Sequence, residues 1–419
     1  MGRRQVLASY SRGPLLVGSG SVVLGLCSYV YLSVAARHVG PHDFGELSTL
    51  WAVLFGFVAG LWLPFEQELT RLVASGDGSA RVSDLRRVAL LQGATWVLAE
   101  LVVVGVLSVA SGSLFAGSPM LGVALAVSVA TVAVAGFQRG TLLGARRFGW
   151  AAAQQAGDGL TRAVGAVVCA ALGASVGTFG LVLALAPLGG VLVAALGTPV
   201  LDRVAAPSRA LRDLARDVAA LVAGSSLAIV MLNVGPLVVR LGSGAAETGR
   251  FMAVFVVARL PLFFAGPVVA GLLPSLVDAH ARGDRPAFVR TVRAVVGVVA
   301  VGALAGCLAL GLLGPWVARV FFGSAYDGDL AVSVLVAVSS ALFVVAMVMQ
   351  GALVAAQDQR AVAWSWLVAT VAFGLGLLLP LPVGMRVATA YVVAGVVAVA
   401  VMAALLRRDA GRPLAPVRA

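Results

Sequence analysis

The sequence predicts an all-α, polytopic membrane protein of about twelve transmembrane helices in two parallel six-helix halves. Three observations predict it: the composition, the spacing of apolar runs, and the alternation of arginine-rich and arginine-poor loops. Of 419 residues, 60% are hydrophobic and 11% charged, and the mean hydropathy is +1.02. A soluble domain carries roughly 25% charged residues, so this chain has too little polar material to cover a water-facing surface. No stretch is polar and long enough for a separate soluble domain.

In order, apolar runs fall at 14–35, 47–65, 88–110, 120–138, 150–174, 178–199, 218–240, 251–277, 292–314, 330–356, 361–380 and 387–406. Each approaches the roughly 20 residues that cross a bilayer as a helix. The first follows Arg3, Arg4 and Arg12, and Ser33-Val34-Ala35 imitates a signal-peptide cleavage site. The run is too long for a signal h-region and another span soon follows, so it is expected to remain as a mature span. Arginines cluster around 3–12, 71–87, 139–147, 203–216, 282–293, 360 and 407–418, whereas the intervening loops hold only Arg37, Arg240, Arg250, Arg319 and Arg386. That alternation is the positive-inside pattern and places both termini in the cytoplasm. The net charge of +12 is mostly this topology signal, so no nucleic-acid partner is needed to explain it.

The most polar inner connection, 201–217, divides the chain into an N-terminal half, 1–200, and a C-terminal half, 218–419. Six spans in each half give both the same orientation, so a repeat would be parallel. Its traces are Gln138 to Ala145 against Gln350 to Ala356, Arg37 then Gly45 against Arg240 then Gly249, and Gly76-Asp77 against Gly283-Asp284. Gly136, Gly140 and Gly144 form a small-residue ridge suited to close helix packing. Pro64, Pro187, Pro261, Pro267 and Pro274 are candidate bending points.

All 30 Lys+Arg residues are arginine. Without lysine, Walker A and Schiff-base chemistry are excluded. Cys27, Cys169 and Cys307 lie in separate apolar runs and read as packing residues. His38 and His42 lack the helical context of a metal site. Asp327-Gly328-Asp329 is too short an acidic pair to carry divalent-cation catalysis, and no nucleophile has a base positioned by sequence. The chain is expected not to be an enzyme.

What remains is polarity inside the spans. Gln92, Thr95, Trp96 and Glu100 share one face of span three, and Gln154, Asp158 and Arg162 share one face of span five. Arg259 lies in span eight, two residues before Pro261. A mid-membrane charge costs about 2.5–3.5 kcal/mol on insertion scales, so these groups should face one another or a wet cavity. Asp158 or Glu100 could simply pair with Arg162; Arg259 has no acidic neighbour on its own helix and suggests an anionic ligand. Arg37 and Arg240, at the outer ends of spans one and seven, fit either a cationic path or snorkelling.

Several segments together resemble a known family. Ala35 to Gly45 resembles the turn after span one in polysaccharide flippases, the Wzx-type members of the multidrug/oligosaccharidyl-lipid/polysaccharide exporter superfamily. Arg139-Gly140 to Arg147-Phe148, Asp158 with Arg162, Gly249 to Pro274-Ser275, and Phe322-Gly323-Ser324-Ala325-Tyr326 resemble further landmarks of that family, in order. Val39 stands where the family usually has Leu. The resemblance implies a V-shaped, MATE-like bundle with a central cationic cavity in a bacterial inner membrane. It also implies a cargo of undecaprenyl-pyrophosphate-linked oligosaccharide and partners among polymerases and glycosyltransferases.

On this reading Arg259 and Arg162, with Arg37 and Arg240, bind the pyrophosphate, and Glu100 or Asp158 releases it on protonation or with an ion gradient. No cofactor is expected beyond coupling protons or sodium ions. An ion-coupled small-molecule antiporter is the first rival, although spans one and seven lack a deep carboxylate. A non-transporting scaffold and a lipid II flippase are the others.

Overall fold

In the computed structural model, the described residues are 3–74, 115, 117–197, 227–260, 262, 276, 285–356 and 358–409. Among them no strand occurs. Helix α1 spans Arg3–Val53 and joins the first two expected spans, broken only at Gly40 (φ 76°, ψ 172°). That left-handed backbone suits glycine, and Pro41 follows as a helix-starting residue, so the expected loop contracts to a kink. A π-turn, Leu54–Val58, continues into α2, Ala59–Ala74. Next come α3 (Pro119–Gly144), α4 (Phe148–Ala171) and α5 (Val176–Ala195).

The chain resumes at helical residues 227–233, leading into α6, Gly235–Ser243. Gly244 (φ 91°) turns it into α7, Ala245–Ala258. Helix α8, Arg285–Phe322, exceeds its expected span because it runs past the apolar run at both ends, with Pro315 inside. In α9 (Leu330–Ala355) and α10 (Gln359–Gly376) the first turn is capped: Asp329 accepts from the Ala331 N–H (2.8 Å) and Asp358 from the Ala361 N–H (2.9 Å). Helix α11, Val383–Asp409, ends on Arg407 and Arg408, whose charge suits a helix C-terminus. Six of the described helical segments are long and apolar enough to cross a membrane.

The chain forms two compact units, Met1–Gly249 and Arg250–Ala419. In the first, α4 packs on α1 and α5, and α3 packs on α2 and α5. In the second, α9 packs on α8 and α11, and α10 packs on α11. The neighbours of α5 and α11 thus recur, as a parallel repeat requires. One register shift carries Gln138 onto Gln350 and Gln154 onto Trp366, and both pairs bond: Gln154 Nε2 donates to Gln138 Oε1 (2.8 Å), Trp366 Nε1 to Gln350 Oε1 (2.7 Å).

The glycine ridge on α3 packs against α2. A Cβ on Gly140 would stand 3.0 Å from the Glu66 carbonyl oxygen, and one on Gly144 2.5 Å from Val73 Cβ. Outside, Leu26, Leu160, Val164, Val298, Val301 and Leu375 are exposed; inside, Gln138, Gln154, Asp158 and Arg162 are buried. Apolar out and polar in is the inverse of a soluble protein, and it is what a lipid solvent selects. The expected linker 201–217, both Gly-Asp pairs, and Pro261, Pro267 and Pro274 lie outside the described residues.

Candidate functional site: buried arginines in both units

The first unit holds its charge on α4. Helical spacing stacks Gln154, Asp158 and Arg162 on one face, and packing turns that face inward against α1. Arg162 is 4% and Asp158 8% exposed. Arg162 donates from Nε to Asp158 Oδ1 (2.8 Å) and from Nη2 to Asp158 Oδ2 (2.9 Å), a two-pronged fork. Its Nη1 donates to Ser28 Oγ on α1 (3.2 Å), and its guanidinium lies 5.1 Å from the ring centre of Phe55 in the π-turn. Of the two pairings open from sequence, the one with Asp158 forms; Glu100 and its neighbours on span three lie outside the described residues.

Three buried carboxylates were not singled out from the sequence. Glu66 on α2 receives a second fork, from Arg139 Nε (2.8 Å) and Nη2 (2.6 Å) on α3. Both residues fall at the edges of apolar runs, where they read as loop charges; nothing in their spacing announces the pairing. Glu68 pairs with Arg71 on the same helix, Arg71 Nε donating to Oε2 at 2.7 Å. Glu46, 2% exposed, accepts from the Gly117 N–H (3.2 Å) ahead of α3. Gln138 and Gln154 join these elements through bonds to the Val191 carbonyl (3.2 Å) and the Ala135 carbonyl (2.9 Å).

In the second unit the charge sits among rings. Arg259, 7% exposed, follows the last turn of α7. Its guanidinium carbon lies 3.9 Å from the ring centre of Phe255, 4.7 Å from Tyr391 and 5.9 Å from Phe343. Phe343 stacks on Trp366 (5.9 Å, 11° between planes) and Tyr391 packs on Phe373 (4.8 Å), so the cage has a second layer. A guanidinium resting on ring faces is held through its π surface, with its N–H donors along the edge of that plane.

The register shift that carries Gly40 onto Gly244 carries Phe55 onto Arg259. Each unit thus sets a guanidinium against an aromatic at this level, but the cation comes from α4 in one and from the end of α7 in the other. Arg37 and Arg240 are not equivalent under that shift. Arg37 stands three residues before its kink glycine and Arg240 four, about 100° apart around a helix. Arg37 is exposed; Arg240 is half-buried, and its Nε is buried with no hydrogen-bond partner among the described residues.

The weaker candidates have ordinary occupations. Asp327 pairs with Arg319 (2.7 Å to Nε) and Asp329 caps α9. His38 Nε2 lies 3.1 Å from the Ala174 carbonyl, and His42 Nδ1 lies 3.0 Å from Asp43 Oδ1. Cys27, Cys169 and Cys307 are free thiols, the last two buried.

No family model matches this chain. Two proteins of Mycobacterium tuberculosis, both described as uncharacterized, are similar over nearly their whole length. Rv3630 is 28% identical over 401 residues (94% of this chain, 92% of the relative), and Rv1510 is 29% identical over 406 residues (94% and 91%). Solved structures extend the likeness. An inward-facing multidrug resistance MATE family transporter of the MOP superfamily superposes with a TM-score of 0.70 at 15% identity, covering 93% of this chain and 94% of the other. A MOP superfamily transporter from Pyrococcus furiosus, described by the reverse polarity of its binding pocket, gives 0.62 at 16% identity (96% and 95%). A eukaryotic MATE transporter gives 0.64 at 13% identity (96% and 97%). With its apolar exterior and paired internal charges, this chain is a multi-pass membrane protein with the fold of the MATE transporters of the MOP superfamily.

Proposed function

We propose that the protein is a flippase that moves an undecaprenyl-pyrophosphate-linked oligosaccharide from the cytoplasmic to the outer leaflet of a bacterial inner membrane by alternating access. The observation that carries the reading is Arg259, a guanidinium buried within a membrane bundle and braced on its faces by Phe255 and Tyr391. A pyrophosphate offers pairs of oxygens that can accept both N–H prongs of such a group. The rings fix the guanidinium plane before cargo arrives and exclude water around it, which strengthens each charge-assisted bond.

Arg162, half-neutralised by Asp158, is the second contact in this reading, and the buried Nε of Arg240 offers a donor on the way in. Asp158 shares the Arg162 fork with the incoming phosphate and is proposed to govern its release, on protonation or with an ion gradient. Glu100 is proposed for the same role from its sequence position alone. Protons or sodium ions are the coupling ions, both termini are cytoplasmic, and polymerase and glycosyltransferase partners deliver and receive the cargo. The lipid tail stays in the bilayer throughout.

One observation favours a second reading. The first unit buries Glu46, Glu66 and Asp158, carboxylates that an ion-coupled small-molecule antiporter could use. The fold hosts more than one pocket polarity, since one neighbour is described by the reverse polarity of its pocket, so the residues rather than the fold choose between them. Lipid extracts of cells lacking the gene separate the readings. Accumulated undecaprenyl-pyrophosphate oligosaccharide, shielded from externally added glycosidase, is the expected result; new sensitivity to cationic drugs without accumulation would favour the antiporter, and accumulated lipid II would redirect the cargo. Arg259→Ala should abolish transport at normal expression, and surviving transport would remove Arg259 from the site.

A further inference from the structure

The turn between the two arms of α1 and the turn between α6 and α7 meet through their backbones. A Cβ on Gly45 would lie 1.8 Å from the carbonyl oxygen of Ala245, and a Cβ on Gly249 would lie 2.2 Å from the carbonyl oxygen of Pro41 and 3.2 Å from the Gly45 nitrogen. Nothing larger than hydrogen fits at either glycine while the turns stay together. The register shift that carries Gly40 onto Gly244 carries Pro41 onto Ala245 and Gly45 onto Gly249. Each turn therefore offers the other the same two groups, a carbonyl from its first helical residue and a bare Cα one turn later. That is the reciprocity of a two-fold, self-complementary contact, here between two segments of one chain.

Both kinks rest on glycine in the left-handed region, Gly40 at φ 76° and Gly244 at φ 91°, and a Cβ at either would meet nothing within 4 Å. Those two glycines serve the bend, and Gly45 and Gly249 serve the contact. Deeper along the same seam, Gly56 faces Asn233, with 3.2 Å between a built Cβ and the Asn233 Cβ, and Gly60 faces Ile229 at 3.0 Å. Close backbone approach in a bilayer gains dispersion and Cα–H···O contacts that side chains would block.

We propose that this paired-turn contact is a latch that holds the arginine-poor ends of the spans together, and that its parting as one rigid seam opens the cargo path on that side. The proposal rests on the alternating-access reading for its purpose, but its test requires no cargo.

In a background with Cys27, Cys169 and Cys307 replaced by Ala, Gly56→Cys with Asn233→Cys should oxidise readily, because their Cβ separation is within a few tenths of an ångström of disulfide geometry. Gly45→Ala or Gly249→Ala, remote from that pair, should each lower the cross-linking rate at least about tenfold, because the added Cβ meets backbone oxygen rather than a side chain that can swing away. Combining them should add little, since one separation relieves both conflicts. An unchanged rate in either single variant, failure of the parent to cross-link, or a double variant equal to the product of the singles would overturn the single latch.

Should the alanine variants not fold, Ala245→Cys in the Gly45-bearing protein serves instead, added to the Gly56→Cys and Asn233→Cys pair. Maleimide labelling at 245 should slow about tenfold on oxidation of that pair, and equal rates in oxidised and reduced protein would overturn the proposal. A latch that passes these tests in a protein that moves no lipid-linked sugar would leave the seam standing and remove the flippase reading.

Discussion

Replacing Arg162 with Leu strands Asp158 in the first unit. The carboxylate is 8% exposed and takes both prongs of the Arg162 fork, at 2.8 and 2.9 Å. Removing one partner of such a pair costs roughly 3–5 kcal/mol, because the remaining ion has neither water nor counter-charge. Ser28 loses its contact with Nη1 but still donates to the Leu24 carbonyl (2.8 Å), so it adds little to the loss. An unfolding entropy of roughly 2.1 cal/mol/K per residue over 419 residues makes each kcal/mol worth about 1 °C in Tm, so Arg162→Leu should lower Tm by about 4 °C. Arg162→Leu with Asp158→Leu removes both charges and keeps apolar volume, which is close to neutral, so Tm should return to within about 1 °C of the parent. The assay is thermal unfolding in detergent with a thiol-reactive dye, since Cys169 and Cys307 are buried and Cys27 half-buried until the bundle opens. A double variant as unstable as Arg162→Leu would refute the stranded-charge reasoning. If Arg162 also reads the head group, the double variant is stable yet inactive, which separates the two roles.

Two further outcomes follow from single contacts. Gly190→Ala should destabilise by roughly 1–3 kcal/mol, because its Cβ would lie 2.2 Å from the Gln154 carbonyl oxygen, whereas Gly122→Ala, with nothing within 4 Å, should be neutral or stabilising; paired melts check both. Trp366→Phe keeps the stacking on Phe343 but leaves the Gln350 Oε1 without its donor, so Tm should fall by an amount equivalent to roughly 1–3 kcal/mol, and Gln350→Leu in the same protein should recover part of it.

Much of the fold is written in the chain's coarse statistics. Lipid demands uninterrupted apolar runs and topology biases arginine, and both signals survive any local uncertainty; the helices from Pro119 to Ala195 and from Leu330 to Asp409 fall close to their expected runs. Asp158 and Arg162 were legible for a different reason, since four residues on a helix are neighbours in space. Glu66 and Arg139 meet only when α2 packs on α3, and each taken alone looks like a loop charge. The unequal settings of Arg37 and Arg240 depend on a one-residue offset that matching of motifs by eye does not resolve. The aromatic brace of Arg259 was hidden because Phe343 and Tyr391 come from helices far along the chain.

The π-turn at Leu54–Val58 has a consequence for every charge beyond it. It lodges one extra residue in a single turn, and one residue corresponds to about 100° of azimuth. The rod from Pro41 to Ala74 therefore has two angular phases: upstream, Gly45 is aimed at Ala245, and downstream, Glu66 is aimed at Arg139. Wound as uniform α-helix, the same sequence could satisfy one bearing only, with the other swung a quarter-turn away. The bulge works as a fixed gear offset, letting one continuous element serve a glycine seam at one end and an ion pair at the other.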